Sequence, residues 1–390
     1  MKKKIAFVVQ RYGLEVNGGS ELSCRLIAEK LSRIYDVEIL TTKALDYTTW
    51  ENHYQADVEQ IHNLTVRRFK TDFPREMKKF NKVNEQVFTK ADRNVYDELE
   101  WMKAQGPVSF DLINYIKSNH HQYEKVIFFT YLYFTTFWGL QQIPEKSILV
   151  PTAHDEPYIY FSIFKPFFHL PQSIIFLTEE EKDFVLKTFH NEHLHSVVAG
   201  VGVDVPDKEI DIQDFKDKFN INEDYILYVG RIDESKGCKE LFDYYLRYKK
   251  TVSKPPKLVL IGKSVIDIPN DPDIIPLGFV TDEEKFAAMK NAEILMMPSK
   301  FESLSMVVLE SLYYETPVIV NGHCDVLVGH CERGNAGLYY TDYSEFVYCL
   351  NMMLENDNLR KKMGLSGKEY VMKHFDWEII LGKFIECVNR

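Results

Sequence analysis

The chain has 390 residues, a length for two or three domains, and is 45% hydrophobic and 14% aromatic, too apolar for wholesale disorder. Lys plus Arg number 47 against 58 Asp plus Glu, and a net charge of −11 argues against nonspecific nucleic-acid binding through bulk charge. The six cysteines include no C-x-x-C pair and are too sparse for a disulfide scaffold, so they read as reduced structural thiols.

From the N-terminus, the continuous apolar run Ile5–Val9 predicts a strand buried on both faces. It is shorter than the ~7–15 residues of a secretory signal core. Gly18 and Gly19, in RYGLEVNGGSE, free the backbone for a tight turn. Leu22, Leu26, Ile27 and Leu31 then recur at helical spacing, and Val37–Leu40 is a second short strand. This β-loop-α-β unit predicts a parallel sheet, continued by strands at Lys125–Phe129, Ile148–Pro151, Ile174–Leu177 and Ser196–Val198. Val126–Ile143 is uncharged, but Thr and Gln interrupt it, short of the ~20 predominantly apolar residues of a membrane span. A cytoplasmic protein is expected, with any membrane contact peripheral.

A charged stretch with Pro206 places a linker near residues 201–212. Beyond it, strands are predicted at Tyr225–Val229, Lys257–Ile261, Ile294–Pro298 and Pro317–Val320, with a short one at Ile274–Leu277. Helices alternate with them at Gly237–Lys249, Asp282–Asn291 and Ser305–Tyr314. The fold class is therefore α/β, two successive doubly wound, Rossmann-like domains. Such sheets bind ligands beyond the carboxyl ends of their strands, and two such edges can face each other across a cleft.

Two segments stand out. Residues 67–93 carry nine Lys/Arg against four Asp/Glu, interleaved with Phe69, Phe73, Phe80 and Phe88. A solvated helical insert is the plain reading; a surface for anionic lipid or a charged acceptor is the functional one. The aromatic run Glu156–Leu170 reads as core packing, or as an apolar acceptor wall.

The chemistry is densest in KFESLSMVVLESLYYETPVIV. A strand ends near Pro298, and a polar loop leads into a helix near Ser305. Backbone N–H groups of Ser303, Leu304, Ser305 and Met306 at such a helix start can receive phosphate or sugar oxygens. Glu310 suits the two hydroxyls of a ribose, and Glu302 those of a second sugar. Upstream, Arg231 and Lys236 lie five residues apart across a loop after a strand, a pair suited to a diphosphate.

These motifs together resemble the family 4 glycosyltransferases of GT-B architecture. The resemblance covers nearly the whole chain and rests on VVQRYGLEVNGGSE, the AHDEP segment at 153–157, GRIDESKG at 230–237, the Glu302/Glu310 pair and FDW at 375–377. It implies an acceptor-binding domain over residues 1–204, a nucleotide-sugar-binding domain over 205–372, and a final helix over 373–390 crossing back onto the first domain.

By that resemblance, Arg231 and Lys236 bind and stabilise the departing diphosphate, Glu310 holds the ribose, and Glu302 orients the donor sugar. Ser303, Leu304 and Ser305 touch sugar or phosphate through backbone N–H groups, and Gly18 and Gly19 close over the diphosphate. His154 contacts the donor sugar, and Asp155 steers the imidazole or the acceptor. Gly262 and the strand end with Phe279 and Val280 meet the base. The acidic IDES loop between the two cations departs from a phosphate site, so Asp233 and Glu234 are expected to point elsewhere.

The implied reaction retains anomeric configuration and needs no metal or other cofactor. It moves a hexose-type sugar from a nucleotide-sugar donor, UDP-sugar by default, to a glycan or lipid-linked acceptor, as in surface polysaccharide synthesis. Asp271-Pro272-Asp273 matches a metal-binding D-x-D string but reads as a turn. His323, Cys324, His330 and Cys331 lack the paired spacing of a zinc site. A GT-B epimerase or phosphorylase and a non-catalytic partner subunit stand as alternatives. NGGSE lacks the G-x-G-x-x-G of a dinucleotide fold, and LVLIGKS lacks the first glycine of a phosphate-binding ATPase loop.

Overall fold

A computed structural model of the chain describes residues 2–16, 18–204 and 210–390, so residues 205–209 of the expected linker lie outside the described residues. The chain divides into two compact units, Met1–Val201 with Glu378–Arg390, and Gly202–Trp377. The divisions expected at 204/205 and 372/373 thus fall at 201/202 and 377/378. The second shift has a local reason: Asp357–His374 is one continuous helix of the second unit.

Among the described residues, the first unit holds strands β1 (Lys4–Val8), β2 (Asp36–Thr42), β3 (Val58–Ile61), β4 (Leu64–Phe69), β5 (Val126–Phe129), β6 (Ser147–Val150), β7 (Ser173–Phe176) and β8 (His195–Val198). They form one sheet in the order β3-β4-β2-β1-β5-β6-β7-β8. All neighbours are parallel except β3 and β4. The central strands are buried throughout and, apart from Ser147 and Ser173, apolar, as strands covered on both faces require. The β3–β4 hairpin escapes the sequence reading. Its two-residue turn, His62-Asn63, has positive φ at both positions (45° and 67°), as a primed hairpin turn requires, but without the usual glycine.

The aromatic run is core. Ile159, Phe161, Phe164, Phe167 and Phe168 are buried, and Trp101 stacks on Tyr158 at 4.7 Å. Part of the basic segment also packs inward: Phe69, Phe80 and Val83 lie on this core and Phe88 against Tyr158 and Phe161, while Phe73 is exposed. The helix Met77–Thr89 leaves Lys78, Lys79 and Lys82 exposed on its outer face. All six cysteines are free and buried.

The second unit holds β9 (Tyr225–Val229), β10 (Lys257–Ile261), β11 (Ile274–Gly278), β12 (Ile294–Met297), β13 (Val318–Asn321) and β14 (Gly337–Tyr340), all parallel, in the order β11-β10-β9-β12-β13-β14. The order reverses between β9 and β12, the switch point of a doubly wound sheet. Two Rossmann-like units in one chain are the fold class expected. No helix among the described residues is long and apolar enough to cross a membrane.

One buried carboxylate ties the first unit together. Glu181, in the helix Glu179–Phe189, accepts the N–H groups of Ala153 and Leu177, each at 2.6 Å. Burial pushes its pKa up to about 8 against the pull of those two donors. Between the ordinary 4.5 and about 8 the folded chain keeps a proton that the unfolded chain has lost. Its contribution to stability is therefore full below 4.5 and declines as pH rises through that window. Denaturant titrations from pH 4.5 to 8.5 should show this decline, and Glu181→Gln should flatten it.

Candidate functional site

At the carboxyl edge of the second sheet, glycine allows two strand ends to touch. Gly230 after β9 and Gly262 after β10 have φ of 149° and 134°. A Cβ on Gly262 would lie 2.0 Å from the Gly230 carbonyl oxygen. The Gly262 N–H donates to the Gly278 carbonyl at 2.8 Å, bringing β10 and β11 together at their ends. Beyond Gly278, Phe279 is exposed and Val280 half-buried. Of the expected base contacts, Gly262 is therefore first a packing position.

The loop 231–236 is organised by a residue expected to point away. Asp233 is buried; one carboxylate oxygen meets the Arg231 guanidinium, and the other accepts the Ser235 hydroxyl at 2.7 Å and the Lys236 N–H at 2.9 Å. Burial works to raise its pKa, but these donors together outweigh burial and hold it below the usual carboxylate range. The expectation is corrected for a local reason: a short side-chain acceptor is what closes a turn of this kind. Glu234 does point outward, to Lys239 at 2.7 Å.

Lys236 Nζ lies 2.7 Å from Glu302 Oε1, joining residues 66 positions apart. Gly237, at φ 75°, lets the next helix begin against β12, since a Cβ there would lie 2.3 Å from the Pro298 carbonyl oxygen. Glu302 leads into Ser303, Leu304 and Ser305. Ser305 adopts the left-handed conformation (φ 63°) at the start of the helix Met306–Tyr313, a strained geometry for a residue with a Cβ. The Leu304 carbonyl accepts from His330 Nε2 at 2.7 Å, while His330 Nδ1 meets the Tyr370 hydroxyl at 3.0 Å. Both ring nitrogens of His330 are thus engaged, and the imidazole braces the loop. His323 contacts the Thr341 carbonyl, and the described residues contain no cluster of metal-ligating groups around these histidines and cysteines.

Glu310 is buried. One oxygen meets Lys285 Nζ at 3.1 Å; the other has no partner among the described residues. Burial raises its pKa, with Lys285 opposing. Lys285 was not singled out by the sequence, and nothing local marks it: it sits in the first turn of the helix Asp282–Asn291, 25 positions before its partner. Asp271 and Asp273 form a turn before β11 and are neutralised by Lys249 and Lys257.

In the first unit, Gly18 and Gly19 do not make the tight turn expected. Gly18 is extended at the start of the helix Gly19–Leu31 (φ −89°), a conformation open to any residue. Space distinguishes them instead: a Cβ on Gly18 would meet the Glu21 carboxylate at 2.0 Å, and Gly19 has nothing within 4 Å. Glu21 pairs with Arg11 at 2.6 Å.

His154 Nε2 lies 3.6 Å from Glu156 Oε2, and Glu156 Oε1 accepts the Tyr131 hydroxyl at 2.7 Å. Asp155 instead accepts from Tyr160 at 2.8 Å, so Glu156 takes the place expected for Asp155 beside the imidazole. Strain collects here too. Thr130 and Thr152, just past β5 and β6, have φ of 64° and 50°, and their hydroxyls bond at 3.1 Å.

Residues 209–370 match the family model for glycosyl transferases group 1. The match spans most of the second unit. An uncharacterized 41.2 kDa protein in the cps region of Klebsiella pneumoniae is 36% identical over 111 residues, 27% of this chain and 28% of that protein. A Campylobacter jejuni enzyme, N-acetylgalactosamine-N,N'-diacetylbacillosaminyl-diphospho-undecaprenol 4-alpha-N-acetylgalactosaminyltransferase, is 32% identical over 158 residues, 37% of this chain and 40% of that one. The chain spans less than half the length of these two curated relatives. Anabaena HepE, solved in complex with UDP and glucose, shares the fold with a TM-score of 0.70 at 13% identity over 99% of both chains.

The glycine geometry predicts unequal costs at the two strand ends. Gly262→Ala should destabilise the protein by ~4 kcal/mol or more, because a backbone oxygen blocks the new methyl. Gly278→Ala, with a φ of 69° but open space, should cost only ~1–2 kcal/mol. Equilibrium urea unfolding of both variants measures the difference.

Proposed function

We propose that this chain is a retaining, metal-independent glycosyltransferase that moves a hexose-type sugar from a nucleotide diphosphate donor, UDP-sugar by preference, to a glycan or lipid-linked acceptor. The observation that carries the reading is Glu310: a buried carboxylate with one oxygen on Lys285 and the other unpartnered. A buried acceptor of this kind is costly unless a donor reaches it, and the hydroxyls of a ribose are such donors.

In the proposed reaction the bond between the anomeric carbon and the diphosphate oxygen breaks, and an acceptor hydroxyl forms the new glycosidic bond on the same face. The acceptor's proton passes to the leaving phosphate, so no dedicated side-chain base is required. Arg231 and Lys236 stabilise the developing negative charge, and Glu302 holds the sugar hydroxyls. Backbone N–H groups of Ser303, Leu304 and Ser305 complete the donor site. His154, braced by Glu156, contacts the sugar and contributes orientation and field.

Support for a UDP-sugar comes from HepE, whose structure holds UDP and glucose. Support for a lipid-linked acceptor comes from the Campylobacter enzyme, named for a diphospho-undecaprenol substrate. The first unit is proposed to bind the acceptor at the cytoplasmic membrane surface, with Lys78, Lys79 and Lys82 of the exposed helix face toward anionic headgroups.

Calorimetry with UDP tests the donor site directly. Glu310→Gln should weaken UDP by roughly 1.5–3 kcal/mol, the scale of a lost charged hydrogen bond. In the wild type, affinity should fall on acidification at a pH above the ordinary carboxylate range, since burial raises the Glu310 pKa and the protonated form accepts less well. Glu310→Gln should lose that acid limb. Lys236→Ala should cut turnover of a UDP-hexose at least 100-fold, equivalent to ~2.7 kcal/mol, while EDTA leaves turnover unchanged. UDP affinity that is equal in wild type and both variants would exclude this donor site.

A further inference from the structure

Arg75 lies six residues beyond β4, among the loops that leave the carboxyl edge of the first sheet. It is half-buried, with its guanidinium 4.9 Å from the ring centres of both Trp50 and Phe80. Its Nη1 donates to Gln105 Oε1 at 3.1 Å and its Nη2 to the Tyr47 carbonyl, while its Nε is buried without a partner. Trp50 is itself locked: its indole N–H donates to the Gln105 carbonyl at 2.7 Å, and its ring meets Tyr133 edge-on at 5.6 Å.

Four other arginines of this unit have carboxylate partners, while Arg25 donates to the Gly13 and Leu14 carbonyls. Arg11 pairs with Glu21 (2.6 Å), Arg67 with Glu38 (2.8 Å), Arg68 with Glu59 (2.6 Å) and Arg93 with Glu98 (3.2 Å). Arg75 has no ion pair among the described residues. The acid that faces it, Asp46, spends one oxygen on the N–H groups of Thr48 and Thr49. Tyr47 and Tyr133 are the remaining titratable neighbours, and burial lowers the Arg75 pKa despite all three. A guanidinium within 4.9 Å of two ring centres, held by two neutral oxygens, with Nε unpartnered and no carboxylate on it, keeps N–H donors for a planar or tetrahedral oxyanion.

We infer that Arg75, with Tyr47 and Tyr133 beside it, forms an oxyanion-recognition site in the first unit that reads a phosphate or carboxylate on the sugar acceptor. The word acceptor rests on the proposed function; the anion site does not. The site would make an anionic acceptor the preferred substrate over a neutral one of the same size.

The test uses the full chain labelled with 5-fluorotryptophan, with the Trp50 resonance in the 19F spectrum assigned through Trp50→Phe. It is titrated with glycerol 3-phosphate, with methyl glucuronide and, as a neutral control, with methyl glucoside. Saturable movement of the Trp50 signal by at least one anion and not by the glucoside is expected, and the responding anion identifies the source of the charge. Arg75→Gln should weaken that titration about tenfold or more, as loss of a charged hydrogen bond does. Arg75→Lys, which keeps the charge without the fork, should fall between. Lys236→Ala should titrate within twofold of wild type, separating this site from the donor site. No Trp50 response to either anion, an equal response to the glucoside, an unchanged Arg75→Lys titration, or loss of the response in Lys236→Ala would overturn the inference. Should Arg75→Gln fail to fold, the wild-type and Arg75→Lys titrations still decide. UDP binding measured on the same samples tests the donor reading separately.

Discussion

Parallel pairing is the constraint from which the candidate chemistry follows. When neighbouring strands run the same way, every strand-to-helix loop leaves at one edge of the sheet, where backbone groups and side chains have no further strand to pair with. In the second unit β9, β10, β11 and β12 deliver Arg231, Gly262, Gly278 and the Glu302 loop to that edge. In the first, β1, β2, β4, β5 and β6 deliver Arg11, Tyr47, Arg75, Tyr133 and His154 to the corresponding edge. Backbone strain follows the same geography: Thr130, Thr152 and Ser305 hold positive φ just beyond strand ends, where tight turns must also aim side chains.

At the edge of the second unit, charge is held in pairs rather than left to solvent. Asp233 sets the turn that separates Arg231 from Lys236, Lys236 meets Glu302, and Lys285 meets Glu310. Such pairs have two consequences. They keep long side chains in defined rotamers before any substrate arrives, which lowers the entropy lost on binding. They also leave carboxylate lone pairs for hydroxyl donors, so the proposed sugar adds to the network instead of having to break it. His154 with Glu156 and Tyr131 repeats this arrangement in the first unit. His330 serves a different purpose, bracing the Leu304 carbonyl so that the loop carrying Glu302 cannot drift.

Much of this was legible from local pattern. Short apolar runs located β1, β9 and β10 because a strand covered on both faces needs no polar residue, and alternation with helical spacing implied parallel sheets. Of the two readings of the aromatic run 156–170, core packing holds for Ile159, Phe161, Phe164, Phe167 and Phe168. The β3–β4 hairpin escaped because His62-Asn63 makes its turn without glycine, and β14 escaped because Gly337–Tyr340 is too short and too exposed to show a pattern.

By itself the sequence determined the two α/β units, the order of most of their strands, and the positions of Arg231, Lys236 and Glu302 on loops after strands and of Glu310 within a helix. Those properties depend on spacing along the chain, which is what periodicity records. Only the tertiary structure decided which groups meet: Lys236 with Glu302, Lys285 with Glu310, Glu156 rather than Asp155 with His154, and Asp233 turned inward on its own loop. It also decided that Gly262 is needed for the close passage of a carbonyl and that Gly18 is not needed for a turn. Pairing energies and steric contacts act through space between residues far apart in the chain, and no local pattern encodes a distance that exists only after the sheets have closed.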